Sequence, residues 1–323
     1  MKRYISLLCL LIGVLQLNGQ IDNLKLKILN RKHLLNLPSA SGVEIIEGDI
    51  YVIGDDSPYL FKLDEDFNIV DRFLLSGNKK TVNNRVPKPI KSDFESIALY
   101  KDQNGNAFLS VLSSGSKFKT RDTLHVFSLS EKRIIASKNI RPLFEAIRKK
   151  ADFSTDDEIN IEAFAIGREK VFLMQRGNNN TNILVVINRG GFMNYIFKTN
   201  SPLPEIDVRS FRLPSLENTT AGFSGACLLP DESRLIFVAS LEATSNSYDD
   251  GEILGSYVGA LKLDSNENNI ETVLLGKGDN AVKTKLEGVA VKSYENNTFQ
   301  IVAVSDNDDG TSVMFDIELE IER

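Results

Sequence analysis

A short segment, polar at its start and apolar thereafter, recurs five times along this chain. It reads Ser41-Gly42-Val43-Glu44-Ile45-Ile46, Phe94-Glu95-Ser96-Ile97-Ala98-Leu99, Ile161-Glu162-Ala163-Phe164-Ala165-Ile166, Phe223-Ser224-Gly225-Ala226-Cys227-Leu228 and Leu286-Glu287-Gly288-Val289-Ala290-Val291. Each copy runs into residues suited to a tight hairpin: Glu47-Gly48-Asp49, Asn104-Gly105-Asn106, Gly167-Arg168-Glu169, Pro230-Asp231-Glu232 and Glu295-Asn296-Asn297. Such residues take positive φ or bond their own backbone at little cost. A β-rich strand follows in every copy (Ile50–Ile53, Ala107–Leu112, Lys170–Met174, Leu235–Ala239, Phe299–Val304), then a polar loop, then a returning strand (Tyr59–Leu63, Thr123–Leu129, Ile183–Ile187, Val258–Leu263, Ser312–Ile317). The first four copies continue into a fourth strand, as at Ile69–Leu74 and Ile270–Leu274.

Four antiparallel strands per repeat, with no long helices between repeats, describe the blade of a β-propeller. One blade has two apolar faces and cannot bury both, whereas a closed ring packs each sheet on two neighbours. The pattern predicts an all-β, five-bladed propeller forming one domain over residues 21–323, with six blades as the alternative count. A sandwich followed by a second β domain is the competing arrangement, and it leaves the regular recurrence unexplained. The fifth copy stops after its third strand, while the alternating segment Leu24-Lys25-Leu26-Lys27-Ile28 has no blade of its own. That segment is expected to supply the missing strand and close the ring. One helix is predicted, from Pro142 to Lys150, with proline in its first turn.

Residues 1–20 read separately. Lys2 and Arg3 precede a largely apolar run from Ile5 to Leu17, and Asn18-Gly19-Gln20 offers a cleavage region. Thirteen residues are too few to span a bilayer, so the segment is expected to be a secretory signal that sends the protein to the periplasm or the exterior. Without Lys2 and Arg3, 36 basic residues face 44 acidic ones. This acidic balance argues against nucleic acid and anionic lipid as partners. A monomer is expected. Beyond the signal only Cys227 remains, in the apolar run Ala226-Cys227-Leu228-Leu229, so no internal disulfide can form and a buried, inert thiol is expected. The two histidines, His33 and His125, are too few for a zinc site of two or three imidazoles, and His125 sits in an alternating strand.

At one matched point the five copies carry Ser41, Glu95, Glu162, Ser224 and Glu287, at spacings of 54, 67, 62 and 63 residues. In a propeller the first strand of each blade lines the central channel, so these oxygen side chains should meet at one height. Three carboxylates converging in a narrow channel repel; they take up protons or share a cation. A hard cation with oxygen ligands, Ca²⁺, suits the set. The plainer alternative is that each carboxylate caps the backbone of a neighbouring blade. Glu44 is a weaker candidate ligand in the first copy.

The order Ser, Glu, Glu, Ser, Glu is similar to that of the calcium-activated nucleotidases, or apyrases, which are five-bladed propellers; in that family the equivalent residues surround a central Ca²⁺. The segment Glu47 to Asp56 resembles the apyrase first blade, as do Gly222-Phe223-Ser224 and Lys285-Leu286-Glu287-Gly288. Apyrases continue the paired Asp with Arg-Thr-Gly, whose arginine helps hold nucleotide phosphates; this chain has Ser57-Pro58-Tyr59. The whole chain more closely resembles an uncharacterised bacterial family of secreted propellers akin to the phytase-like and SdiA-regulated ones. Its marks here are Gly54-Asp55-Asp56-Ser57-Pro58-Tyr59-Leu60, Gly115-Ser116-Lys117, Gln175-Arg176-Gly177-Asn178, Tyr248-Asp249-Asp250-Gly251 with Leu254-Gly255-Ser256, and Asp306-Asn307-Asp308-Asp309. The resemblance implies a fold and a metal, not a substrate.

Strand direction adds an inference. If first strands run away from one face, second strands return to it, and the loops after them open beside the Ser/Glu ring. Those loops hold Asp55, Asp56, Lys117, Arg121, Gln175, Arg176, Asn178, Glu242, Asp249, Asp250, Asp306 and Asp308. A mouth of mixed charge around a cation could hold a small anionic molecule, contacted by Lys117, Arg121 and Arg176, with Gln175, Asn178, Asp249, Asp250 and Asp308 around it. As an alternative, a Ca²⁺-dependent hydrolase of phosphoesters or phosphoanhydrides would use Asp55, Asp56 or Asp306 as base. Ser114-x-x-Lys117 matches a β-lactamase pattern but falls in a hairpin loop, and Asp306 to Gly310 resembles part of an EF-hand loop but has Ile317 at the twelfth position.

Overall fold

The computed structural model describes residues 24–77, 81–177, 182–244, 251–264, 270–276 and 282–322. Asn178, Asp249, Asp250 and the expected signal segment lie outside the described residues. The described chain forms five four-stranded antiparallel sheets. Blade one is β2 (Ala40–Ile46), β3 (Asp49–Gly54), β4 (Tyr59–Leu63) and β5 (Ile69–Leu74), and blade two is β6 (Phe94–Lys101), β7 (Ala107–Ser113), β8 (Thr123–Ser128) and β9 (Arg133–Asn139). Blade three is β10 (Ile161–Ile166), β11 (Lys170–Gln175), β12 (Asn182–Asn188) and β13 (Ile206–Phe211). A two-stranded hairpin, β14 (Ser215–Leu216) with β15 (Thr219–Thr220), leads to blade four: β16 (Gly222–Leu228), β17 (Arg234–Ala243), β18 (Glu252–Lys262) and β19 (Ile270–Leu274). Blade five is β20 (Lys285–Glu295), β21 (Thr298–Asp306), β22 (Ser312–Ile321) and, from the other end of the described chain, β1 (Leu24–Leu34). The five-bladed count and the closing strand are as the repeats predict.

β1 pairs antiparallel with β22 from Leu24 opposite Ile321 to Leu34 opposite Ser312. This gives the last blade its fourth strand and ties the two ends of the ring together. Along β1 the apolar Leu26 and Ile28 lean on the junction between blades four and five, while the intervening lysines face out.

The core is divided as ring packing requires. Five apolar clusters fill the five junctions between blades, with Phe94, Ile97 and Phe127 between blades one and two, and Phe223 and Phe237 between blades three and four. Val43 and Phe61 of blade one meet Ala290 and Val302 of blade five. Middle strands such as β3 and β11 are buried on both faces and are correspondingly near-continuous in apolar residues, whereas the outermost β5 is largely exposed.

Helix α1 (Arg141–Lys150) forms where predicted and sinks Leu143, Phe144 and Ile147 into the junction of blades two and three. A second helix, α2 (Arg189–Phe197), has no counterpart in the sequence reading. The Asn188 side chain caps it by accepting the Gly191 N–H, and Phe192, Tyr195 and Ile196 pack on the same junction. Paired glycines at Gly190-Gly191 mask a nine-residue helix from a propensity argument.

Around the channel the innermost strands of blades four, five and one approach backbone to backbone. A Cβ on Gly225 would lie 2.7 Å from Gly288 Cα, and one on Gly288 would lie 2.9 Å from Gly42 Cα. Because the neighbouring atoms are main chain, they cannot rotate away. Gly288→Ala is therefore expected to destabilise the fold by about 1–3 kcal/mol, measured as a lower denaturation midpoint at unchanged slope. An unchanged midpoint would show that the ring has slack here.

Candidate functional site

All five matched residues occupy the same irregularity. Each inner ladder skips one residue: between Ala40 and Gly42, Phe94 and Ser96, Ile161 and Ala163, Phe223 and Gly225, and Leu286 and Gly288. The skipped residues are Ser41, Glu95, Glu162, Ser224 and Glu287. A bulge leaves its extra residue unpaired and re-aims its side chain, and here five bulges act at equivalent places on five inner strands.

The two serines and three glutamates then part ways. Ser41 Oγ donates to the Phe94 carbonyl, and Ser224 Oγ donates to the Leu286 carbonyl at 2.6 Å. Each serine thus stitches its blade to the residue before the next blade's glutamate. The glutamates sense one another's charge. Burial pushes Glu95 well above the usual carboxylate range, and the charges of Asp93, Asp55, Glu287 and Glu162 push it further. Burial likewise drives Glu287 and Glu162 upward, while cations beside them pull the other way.

Those cations come from the protein. Arg176, buried, reaches Glu162 at 3.1 Å, Glu242 at 2.5 Å and Glu287 at 3.9 Å. Lys285 lies 3.1 Å from Glu287 and 3.6 Å from Glu242. Asn160 Nδ2 donates to Glu162 at 2.6 Å, and Gln175 holds the Asn160 N–H at 2.7 Å. On the other side of the mouth Lys91 bonds Asp55 and stands 2.8 Å from Asp93, whose second oxygen accepts from Arg121 at 2.9 Å. Arg121 and Arg176, expected to contact an anion, are thus turned onto protein carboxylates. Lys117 donates to the Pro89 carbonyl at 3.2 Å.

Seven carboxylates (Asp55, Asp93, Glu95, Glu162, Glu242, Glu287 and Asp306) therefore share the mouth with four cations (Lys91, Arg121, Arg176 and Lys285). The surplus is shared: among the described residues Glu95, 9 % exposed, and Asp306 make no ion pair, and the charges of Lys91 and Lys285 act on them. Asp55, Asp93 and Glu95 each present an oxygen within 4.8 Å of the other two. Two oxygens sharing a Ca²⁺ at 2.3–2.6 Å lie no more than about 5 Å apart, so the three oxygens are close enough to share one ion, and the Lys91 ammonium already bonds two of the three carboxylates. Asp55 Oδ1 is also buried without a hydrogen-bond partner.

Beside the trio a cleft of about 800 Å³ opens between blades one and five. Its walls are the linker 35–39, Asp55 and Asp56, the segment 82–91, and the 306–311 loop. Four residues expected at the mouth, Asp55, Asp56, Asp306 and Asp308, line it. Asp56 pairs with Arg85 at 2.6 Å, and burial, followed by the charge of Asp55, pushes Asp306 up to about 8. Glu44 points elsewhere: it accepts the Leu99 N–H of blade two at 3.0 Å, the backbone-capping role, and burial pushes it up to about 7. Burial of the Cys227 thiol, and after it the charge of Glu44, raise that free thiol's pKa.

Asp93, Lys91 and Arg85 are absent from the sequence reading, and Lys285 enters it only within the motif Lys285-Leu286-Glu287-Gly288. Three had one visible signal, nearness in sequence: Asp93 and Lys285 stand two residues before a matched glutamate and Lys91 four, although Lys91 and Asp93 precede β6 and Asp93 takes a positive φ, so strand alternation does not orient them. Arg85 lies in an irregular segment and had none.

A family profile matches residues 36–319, nearly all of the described chain. The chain belongs to DUF6929, a family of unknown function. Comparison with curated proteins finds no match. Among solved structures this DUF6929 protein is similar to Myxococcus xanthus glutaminyl cyclase, at 10 % identity and a TM-score of 0.51, over 92 % of this chain and 97 % of that one. It is also similar to the PQQ-bound aldose sugar dehydrogenase of Streptomyces coelicolor (11 % identity, TM-score 0.42, 92 % and 98 % covered) and to the β-propeller domain of Myceliophteria thermophila Cps50 (7 %, 0.38, 90 % and 99 %). Likeness at this identity concerns fold alone. No helix among the described residues is long and apolar enough to cross a membrane.

Two outcomes follow from the charges. Arg176→Met strands Glu162 without its cation and leaves Glu242 only Lys285, and should cost about 3–5 kcal/mol in chemical denaturation; a loss under 1 kcal/mol would mean the network is solvated. Glu44 and Asp306 have folded pKa values above their unfolded ones, so the stability they contribute is complete below the ordinary carboxylate range and is lost as pH rises through about 7 and about 8. The melting temperature in chelator should therefore fall from about pH 5 to about pH 8.5. A rise over that window would contradict these shifts.

Proposed function

We propose that this DUF6929 protein is an exported, monomeric binding propeller whose channel mouth holds a calcium ion at Asp55, Asp93 and Glu95, and whose adjoining cleft takes a small anionic molecule. The observation that carries the reading is Glu95, a buried carboxylate without a hydrogen bond or ion pair among the described residues, set among carboxylates that already outnumber their cations. A divalent cation removes that imbalance, and Glu162, Glu287 and the two ring serines form the surrounding shell. The acidic mouth of Asp55, Asp56, Asp306 and Asp308 supports the same reading.

A second reading is a calcium-dependent phosphohydrolase. It is favoured by Asp306, which lines the cleft and titrates near neutrality, as a general acid or base should. In that case Asp55 and Asp56 hold the reacting group's surroundings and Asp306 moves the proton.

Calcium at a hundredfold excess over Kd should stabilise the protein by about 2.7 kcal/mol, seen as a higher melting temperature that EDTA reverses. Glu95→Gln should abolish the effect. Absence of both binding heat and thermal shift in the wild type would sink the reading. Release of phosphate from a phosphate ester, dependent on calcium and lost in Asp306→Asn, would select the hydrolase; no release leaves the binding protein.

A further inference from the structure

We propose that Lys91 is a tethered counter-ion that fills the carboxylate cluster until a divalent cation takes its place, and that its ammonium then anchors an anionic oxygen group, a carboxylate or phosphate, in the adjoining cleft. Lys91 plays this part only if the cation site proposed above exists.

Three observations lead here. The Lys91 side chain is 10 % exposed, and its ammonium is bonded to Asp55 and lies 2.8 Å from Asp93 Oδ1, two of the three oxygen groups of the cation trio. Asp93 is further engaged through Oδ2 by Arg121. With both cations in place and all three carboxylates ionised, as a bound divalent cation requires, the trio carries one negative charge in excess. Addition of two positive charges would leave three cationic centres within a few ångströms in a region poor in water, where like charges repel far more strongly than in solvent. Arg121 is held by Ser116 as well as by Asp93, so the ammonium on its flexible four-carbon stem is the group that yields.

The third observation is where Lys91 can go. It belongs to the segment 82–91 that walls the cleft and is itself a lining residue, as are Asp55 on the trio's side and Arg85, whose side chain is 40 % exposed. A displaced Lys91 would add a further cation to the cleft, beside Arg85 and Lys88. Cation and anion binding are then linked, and linkage is reciprocal: the factor by which calcium tightens the anion equals the factor by which the anion tightens calcium.

Calorimetric titrations of calcium and of inorganic phosphate, each with and without the other, test this on the wild type and on Lys91→Met. The wild type should show equal, reciprocal coupling of about tenfold. Lys91→Met should bind calcium about tenfold more tightly and show no coupling. Equal calcium affinity in the two proteins, or phosphate binding indifferent to calcium, overturns the inference while leaving the cation site standing. Calcium binding to neither protein overturns both. Should Lys91→Met fail to fold, an amine-reactive label followed by mass spectrometry decides on the wild type alone. Lys91 should be protected in chelator and labelled in calcium, and protection that persists in calcium-bound protein defeats the proposal.

Discussion

Every blade of this protein is apolar on both faces, so no blade is a stable object by itself. The free energy that holds any one sheet comes from the clusters at its two junctions, and the five junctions exist together only when the ring is closed. Closure rests on eleven residues, Leu24 to Leu34, laid along β22. On the inside it rests on glycines at Gly42, Gly225 and Gly288 that let three blades meet backbone to backbone. The outer seam and the inner contact are the same requirement seen at two radii: five wedges must fit one circle without a gap.

That geometry also creates the electrostatic problem at the centre. Bulges at five equivalent positions direct polar side chains into a space where water is scarce, and three of the five are carboxylates. The fold answers unevenly. On the side of blades three to five, Arg176 and Lys285 are drawn in and the glutamates are largely compensated. On the side of blades one and two, Lys91 and Arg121 serve Asp55 and Asp93, and Glu95 is left over. The asymmetry leaves the Asp55, Asp93 and Glu95 group off the axis, next to the cleft between blades one and five.

Much of this was legible in the residues. Five copies with a shared order of turn, strand and loop implied the blades, and the orphan segment from Leu24 to Ile28 implied the seam, because both follow from alternation and chain order. Matching one position across copies found Glu95, Glu162 and Glu287, and the loops named from strand direction include four residues that do line the cleft. The partners of those residues were harder. Arg121 and Arg176 read as free cations at a mouth, yet each is folded back onto a carboxylate from another blade or loop; nothing local distinguishes a cation that meets solvent from one that meets Glu162.

The sequence by itself determined the repeating unit, the number of repeats, the ring and the row of oxygen side chains, since periodicity and turn chemistry are local properties written into neighbouring residues. Only the tertiary structure decided which carboxylates are paired with a cation and which are not. Coulomb interactions act over a few ångströms in space, between residues such as Arg176 and Glu242 that lie 66 positions apart in the chain, and no spacing in the sequence encodes that distance.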